Sequence, residues 1–291
     1  GHYEIVGRLG HGGMGDVYLG YEPKLGRTVA IKVLPAELAR HEDFVRRFYQ
    51  EASAAAKLVH PNVVQIYFIG EQSGHHFFAM QYVEGETLDQ LLARRKSLSV
   101  AETVAILEQS LSGLAAAHRR SLVHRDIKPG NILIDAENRR ALLADFGLVK
   151  SLAESGKFTA TGVVMGTADY ISPEQGRGHP VDHRSDLYSL GVVAYQMLSG
   201  SLPFVADSPT AMIFQHVYER PRPLREVAPH VPPALAGLVE KLLAKSPDER
   251  HQSAEEVLAD LRAVRAGGPL PSFRKPERQE IVTAVEVVEG V

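Results

Sequence analysis

His124-Arg125-Asp126-Ile127-Lys128-Pro129-Gly130-Asn131 crowds ionisable and hydrogen-bonding side chains into one short segment. Pro129 and Gly130 break regular structure, so the segment reads as a loop. An apolar run over 132–134 follows, then polar residues at 137–139 and a second apolar run over 141–144. Together these predict a short buried hairpin. Asp145-Phe146-Gly147 comes directly after it. Asn131 and Asp145 therefore stand at neighbouring strand ends. An amide and a carboxylate offer hard oxygen ligands, which suit Mg2+ when waters and phosphate oxygens complete its shell.

The N-terminal side of the chain reads as strands, over 3–9, around Val17 and Leu19, and over 28–34, with a turn at 22–26. Between the first two lies Gly10-His11-Gly12-Gly13-Met14-Gly15, a G-x-G-x-x-G. A dinucleotide-binding turn needs a helix at the third glycine and an acid about 20 residues on. Glu37 stands near that distance, but Asp16-Val17-Tyr18-Leu19 continues as a strand. A Walker A loop needs Gly-Lys-Ser or Gly-Lys-Thr, and neither follows. Two readings stay open: a plain glycine-rich turn, or a hairpin tip folded over a triphosphate. Glycines let backbone N–H groups approach phosphates closely.

Val29-Ala30-Ile31-Lys32 carries a lysine at the end of an apolar strand. The spacing predicts an amphipathic helix over 42–59, with Phe44, Phe48, Ala52, Ala55, Leu58 and Val59 on one face. Glu51 falls in the middle of that face. A carboxylate turned towards a core is costly unless it is paired, and Lys32 is the natural partner. Such a pair would aim the lysine amine at phosphates under the glycine loop; a structural ion pair without a ligand is the plainer alternative. Two more strands are expected over 63–69 and 77–83, around a turn at 72–74 where His75-His76 would form a solvated tip.

Beyond residue 85 the pattern becomes helical. Helices are expected over 87–95, 101–119, 209–218, 233–244 and 254–265, and Ser99 with Glu102 forms a capping box for the second. Ser185 is placed to cap a further helix running to Ser199, apolar nearly all round and so central to a domain.

These residues together resemble the eukaryotic-like serine/threonine protein kinases of bacteria, over about residues 3–261. The resemblance implies an α+β, two-lobed fold. A small antiparallel N-lobe with one helix (1–80) would join a mainly helical C-lobe (86–265) through a hinge (81–85). ATP would sit between the lobes, with Mg2+, or Mn2+ as the alternative hard cation. The implied nucleotide site comprises Leu9 and Gly13, with Gly10, Gly12 and Gly15 over the phosphates, Val17 and Ala30 at the adenine, Lys32 paired with Glu51, Met80 as gatekeeper, and Gln81, Tyr82 and Val83 at the hinge. Asp126 would accept the hydroxyl proton, Lys128 would offset charge on the moving phosphoryl group, and Asn131 and Asp145 would hold metal. Asp186 would brace the catalytic loop. Glu174 and Arg250 would tie the end of the activation segment to the C-lobe. Ser172-Pro173-Glu174 departs from the usual Ala-Pro-Glu, and Gln81 stands where the hinge often has Glu.

Lys128, two residues after Asp126, is the serine/threonine form of the loop. Met165-Gly166-Thr167-Ala168-Asp169-Tyr170 resembles the floor on which the acceptor docks. Thr159 and Thr161 would be autophosphorylation sites, with Arg125 pairing the new phosphate. The implied partners are protein substrates and a second copy for trans-autophosphorylation. A binding module of the same fold that has lost catalysis is the rival, but it usually lacks a counterpart of Lys32, Asp126 or Asp145. A small-molecule kinase is disfavoured by the docking segment.

Composition bounds the rest. The 291 residues are 44% hydrophobic and 23% charged, which suits a globular chain. Lys and Arg total 32 against 35 Asp and Glu, so no electrostatic footprint for nucleic acid is expected. The absence of cysteine excludes disulfides, thiolate-metal sites and thiol nucleophiles. No signal peptide opens the sequence, and the most apolar helical stretch is about half the ~20 residues of a membrane span. A cytoplasmic domain is expected, near a membrane only if a longer parent chain is anchored. The opening Gly1 suggests a trimmed chain. Residues 266–279 read as a linker, and no role is assigned to 281–291.

Overall fold

The computed structural model describes residues 2–12, 15–146, 168–268, 270 and 272, with the side chains of His11 and Glu51 outside that description. Gly13, Gly147, the segment 165–167, Thr159, Thr161 and residues 273–291 also lie outside it.

Five strands form one antiparallel sheet. They are β1 (Glu4–Gly12), β2 (Gly15–Glu22), β3 (Arg27–Val33), β4 (Ile66–Gln72) and β5 (His75–Gln81), in the order β1-β2-β3-β5-β4. The glycine-rich segment thus leads from strand to strand, as expected of a hairpin tip and not of a dinucleotide-binding turn. β3 shows the two-residue period of a strand buried on both faces. Val29 and Ile31 pack with Ala79 on one side, and Ala30 joins the main core on the other. Lys32 shares the side of Ala30, which sets where its amine can reach.

A short turn of helix, α1 (Ala36–Ala39), precedes α2 (Glu42–Ala56), which covers the Ala30 side of the sheet. Phe48 lies against Phe78, ring centroids 5.5 Å apart, and Ala52 and Ala55 are buried beside it. Small residues there let the helix approach the sheet. The helix ends at Ala56, three positions before the end expected from the sequence, so Val59 leaves the helical projection and is 79% exposed. His76 also departs from expectation. It is half-buried, with Nδ1 3.2 Å from the Tyr49 hydroxyl, whereas His75 is exposed.

The chain leaves β5 and enters β6 (Gly85–Thr87), which pairs with β7 (Ile132–Asp135), itself paired with β8 (Ala141–Leu143). β6 begins on a glycine because a Cβ at position 85 would lie 2.0 Å from the Ile134 carbonyl oxygen. Then come α3 (Leu88–Arg95) and α4 (Val100–His118), both opened by capping boxes, at Thr87/Gln90 and at Ser99/Glu102. The C-terminal helices are α5 (Pro173–Gly176), α6 (His183–Ser199), α7 (Pro209–Tyr218), α8 (Leu224–Val227), α9 (Pro233–Leu242) and α10 (Ala254–Arg265).

α6 is central, with thirteen of its seventeen residues buried and contacts to both α4 and α9. Its cap is Asp182, whose carboxylate accepts the Arg184 N–H at 2.8 Å, and not Ser185. Ser185 lies inside the helix, which begins at His183; it is 1% exposed and its hydroxyl donates to Glu174. The stretch read as a linker also begins by packing back. Leu270 is 9% exposed, and the Ser272 N–H donates to Asp260 at 3.0 Å. Among the described residues no helix is long and apolar enough to cross a membrane.

Candidate active site

Two backbone N–H groups, of His124 and Arg125, donate to the two carboxylate oxygens of Asp186, each at 2.8 Å. Asp186 is 1% exposed and sits in the first turn of α6. The central helix therefore grips the loop 124–131 from below, as expected of Asp186. Arg125 adopts φ 63°, in the left-handed region that side chains other than glycine rarely occupy. Strain of this kind costs about 1–3 kcal/mol and persists only where neighbours impose it. Here the Asp186 bond and a 3.0 Å bond from Gln175 to the Arg125 carbonyl do so.

Asp126 is 4% exposed. Its Oδ2 accepts from Asn131 Nδ2 at 3.0 Å and lies 3.0 Å from Lys128 Nζ. The same amide nitrogen donates to the Asp126 carbonyl at 2.8 Å. Asn131, 6% exposed, thus holds both the main chain and the side chain of Asp126. His124 fixes the loop to the strand beyond. Burial holds its imidazole below the ordinary range, against the pull of Asp186 and Asp126. The neutral ring donates from Nε2 to the Ala144 carbonyl (2.9 Å) and accepts the Asp126 N–H at Nδ1 (3.3 Å). It also lies 4.5 Å from the Phe146 ring, centroid to centroid.

Asp145 follows β8 with φ 56°. Its Oδ2 lies 2.8 Å from Lys32 Nζ across the cleft, and Lys32 is 4% exposed. Its Oδ1 is buried with no hydrogen-bond partner among the described residues. A buried carboxylate oxygen without a donor is costly unless something absent from the protein satisfies it, and a hard cation fits that need. The described partner of Lys32 is Asp145; the side chain of Glu51, its expected partner, lies outside the described residues.

Between the five-stranded sheet and the C-terminal helices lies a cavity of about 370 Å³. Leu9, Gly10, Val17, Ala30, Met80, Gln81, Tyr82, Val83 and Asp145 line it, and Gly130 brings the loop 124–131 to its edge. The Gln81 N–H is taken by the Gln65 carbonyl at 2.8 Å. Gly12 and Gly15 lie at the facing ends of β1 and β2. Sequence reasoning missed three apolar walls of the cavity: Val64, Leu133 and Ala144. A signal for Leu133 was available. In β7 the alternation buries Ile132 and Ile134 in the core and turns Leu133 the other way, where it is half-buried.

Glu174 and Arg250 meet as expected. Oε1 and Oε2 accept from Nη1 and Nη2, each at 2.8 Å, and the residues are 6% and 2% exposed. Burial pushes the Glu174 carboxyl up, but the Arg250 and Ser185 bonds outweigh it and hold the group below its usual range.

A nucleotide-sized cleft between a sheet and a helical body, with a braced acid loop on one wall and a lysine on the other, is the architecture of protein kinases. Residues 3–261 match the protein kinase domain, and the chain belongs to that family. Members of the family use ATP and a divalent metal. The chain is 42% identical over 275 residues to a probable serine/threonine-protein kinase of Streptomyces coelicolor, covering 93% of this chain and 41% of that protein. It is 41% identical over 289 residues to the serine/threonine-protein kinase PknB of Mycolicibacterium smegmatis, covering 98% and 45% respectively. The chain thus spans less than half the length of these curated relatives. It is also similar to the crystal structure of the PknI kinase domain of Mycobacterium tuberculosis, with a TM-score of 0.72 and 32% identity over 91% of this chain and 96% of that one.

Proposed function

We propose that the chain is the catalytic domain of a serine/threonine protein kinase and moves the γ-phosphoryl group of ATP to Ser and Thr hydroxyls of proteins. The observation that carries this reading is the Asp126–Asn131–Lys128 cluster, held at the edge of the cleft that Asp145 and Lys32 close. Phosphoryl transfer asks the protein for positioning and charge neutralisation more than for covalent chemistry. Asp126, restrained from two sides, orients the acceptor hydroxyl and takes its proton. Lys128 places a positive charge beside it. Lys32 binds the α- and β-phosphates, with Glu51 on α2 as its partner in the active arrangement. Leu9, Gly10, Gly12, Gly13, Gly15, Val17, Ala30 and Met80 enclose the nucleotide, and the backbone at Gln81, Tyr82 and Val83 meets the adenine.

Asp145 and Asn131 would hold Mg2+, or Mn2+ in its place, and such an ion would supply charge neutralisation at the phosphate oxygens. Thr159 and Thr161 are the proposed autophosphorylation sites, Thr161 favoured, with a second copy of the chain as enzyme and Arg125 as phosphate partner. The catalytic unit runs over 1–265 and acts in the cytoplasm, attached to a membrane only through a longer parent chain.

The reading is tested by incubating the chain with γ-labelled ATP, Mg2+ and a generic protein acceptor. Label is expected on Ser and Thr of the acceptor and on the Thr159–Thr161 peptide, and a chelator should abolish it. No transfer, or label confined to Tyr, contradicts the proposal.

A further inference from the structure

His216, in α7, is fully buried and joins three parts of the C-terminal body. Its Nε2 lies 3.0 Å from the carbonyl oxygen of Asp169, in the 3₁₀ turn Ala168–Tyr170. Its Nδ1 lies 2.9 Å from the hydroxyl of Tyr188, in α6. The partners settle the tautomer. A backbone carbonyl only accepts, so Nε2 carries the hydrogen; Nδ1 must then accept, and the Tyr188 hydroxyl donates to it. Burial and the Lys245 cation push the imidazole down to about 4, so the neutral ring persists at physiological pH.

The ring cannot drift. It packs edge-on against Phe204, centroids 4.8 Å apart. Lys245 Nζ donates to the Gln215 and His216 carbonyls at 3.2 and 2.6 Å, which anchors the last turn of α7. The turn on the other side of the imidazole is held twice more. Ser189 donates to the Tyr170 carbonyl at 2.7 Å, and the Tyr170 hydroxyl donates to Gln196 at 2.7 Å. Both of those bonds come from α6. His216 adds a hydrogen bond from α7, beside the packing of Met212 against Ala168.

Under the function proposed above a protein acceptor would dock at this turn, and the inference rests on that reading. We infer that His216 is a positioning residue for the protein acceptor, acting through the Asp169 carbonyl to hold the docking turn against α7. It does not line the nucleotide cavity, and the two hydrogen bonds of its ring go to Asp169 and Tyr188, so its effect should fall on acceptor binding and not on ATP. A rigid ring that donates at one end and accepts at the other is suited to this task. Glutamine, with an N–H donor and a carbonyl acceptor, can reproduce both bonds; phenylalanine fills the volume and makes neither.

Steady-state kinetics with a Ser/Thr peptide, varied separately against ATP, tests this. His216→Phe should raise the KM for peptide about tenfold, as loss of a buried hydrogen bond implies, with kcat and the KM for ATP within about twofold of the parent. His216→Gln should return the peptide KM to within about threefold. Should His216→Phe fold poorly, Tyr188→Phe removes only the hydroxyl that orients the ring, and a rise of about threefold in peptide KM alone is expected. An unchanged peptide KM in the variants, or a parallel rise in the KM for ATP, overturns the inference. Absence of transfer by the parent chain overturns instead the function on which it rests.

Discussion

Arg250 makes its two bonds to Glu174 with almost no water present, and that sets the cost of removing it. Arg250→Met would leave the Glu174 carboxylate buried with the Ser185 hydroxyl as its remaining side-chain donor. Breaking a buried pair from one side typically costs about 3–5 kcal/mol. At roughly 2–4 °C per kcal/mol for a domain of this size, calorimetry should show a melting point lower by about 10 °C; a change under about 2 °C would mean that the pair contributes nothing net. Asp126, Lys128, Asn131 and Asp145 stood out in the sequence because their chemistry is concentrated in short contiguous patterns, whereas the pairing of Glu174 with the distant Arg250 came only from the family resemblance. The pairing of Lys32 was only partly legible. Helical projection points to Glu51, but it carries no information about Asp145, whose approach depends on a left-handed backbone at φ 56°.

Helices α6 and α9 meet where α6 has Gly191. A Cβ there would lie 2.7 Å from the Leu242 Cβ, so the two helices must part to admit it. Gly191→Ala improves helix propensity by up to about 1 kcal/mol, while overpacking a core costs about 1–3 kcal/mol. Sterics should win, and urea titration should show a net loss of about 1 kcal/mol; a gain in stability would mean that the interface yields freely. The longer elements were predictable because several periods of pattern accumulate in them, and the Ser99 and Thr87 starts carry their own capping chemistry. β6, α1, α5 and α8 span three or four residues each, too few for a period to show. The cap of α6 was misplaced for another reason. Asp182 and Ser185 are both good capping residues, and only the fold reveals that the helix begins at His183, which places Ser185 inside it.

Buried imidazoles tie the stability of the whole molecule to pH. Burial lowers His124, His216 and His251, with His216 pushed down to about 4. The unfolded chain takes up these protons near pH 6.5, and His216 in the folded chain resists until about 4. Stability is therefore full above about pH 6.5 and falls as the pH drops towards 4. His216 alone should account for about 2 kcal/mol between pH 7.5 and pH 5. Urea unfolding at the two pH values checks this, and His216→Gln should flatten the difference; equal stability at both contradicts the burial argument. The division into a sheet-rich part and a helical part was visible as a change of hydrophobic period near residue 85. The cavity between them was not, because Val64, Leu133 and Ala144 meet only after distant strands have paired.

The claim on which the rest depends is that Asp126 handles the acceptor proton at the edge of the cleft. Single-turnover transfer from γ-labelled ATP to a Ser/Thr peptide, by the parent chain and by Asp126→Asn at saturating Mg2+-ATP, measures it directly. The account predicts a rate at least about a hundredfold lower for Asp126→Asn, with nucleotide binding retained. Equal rates in the two proteins would contradict it.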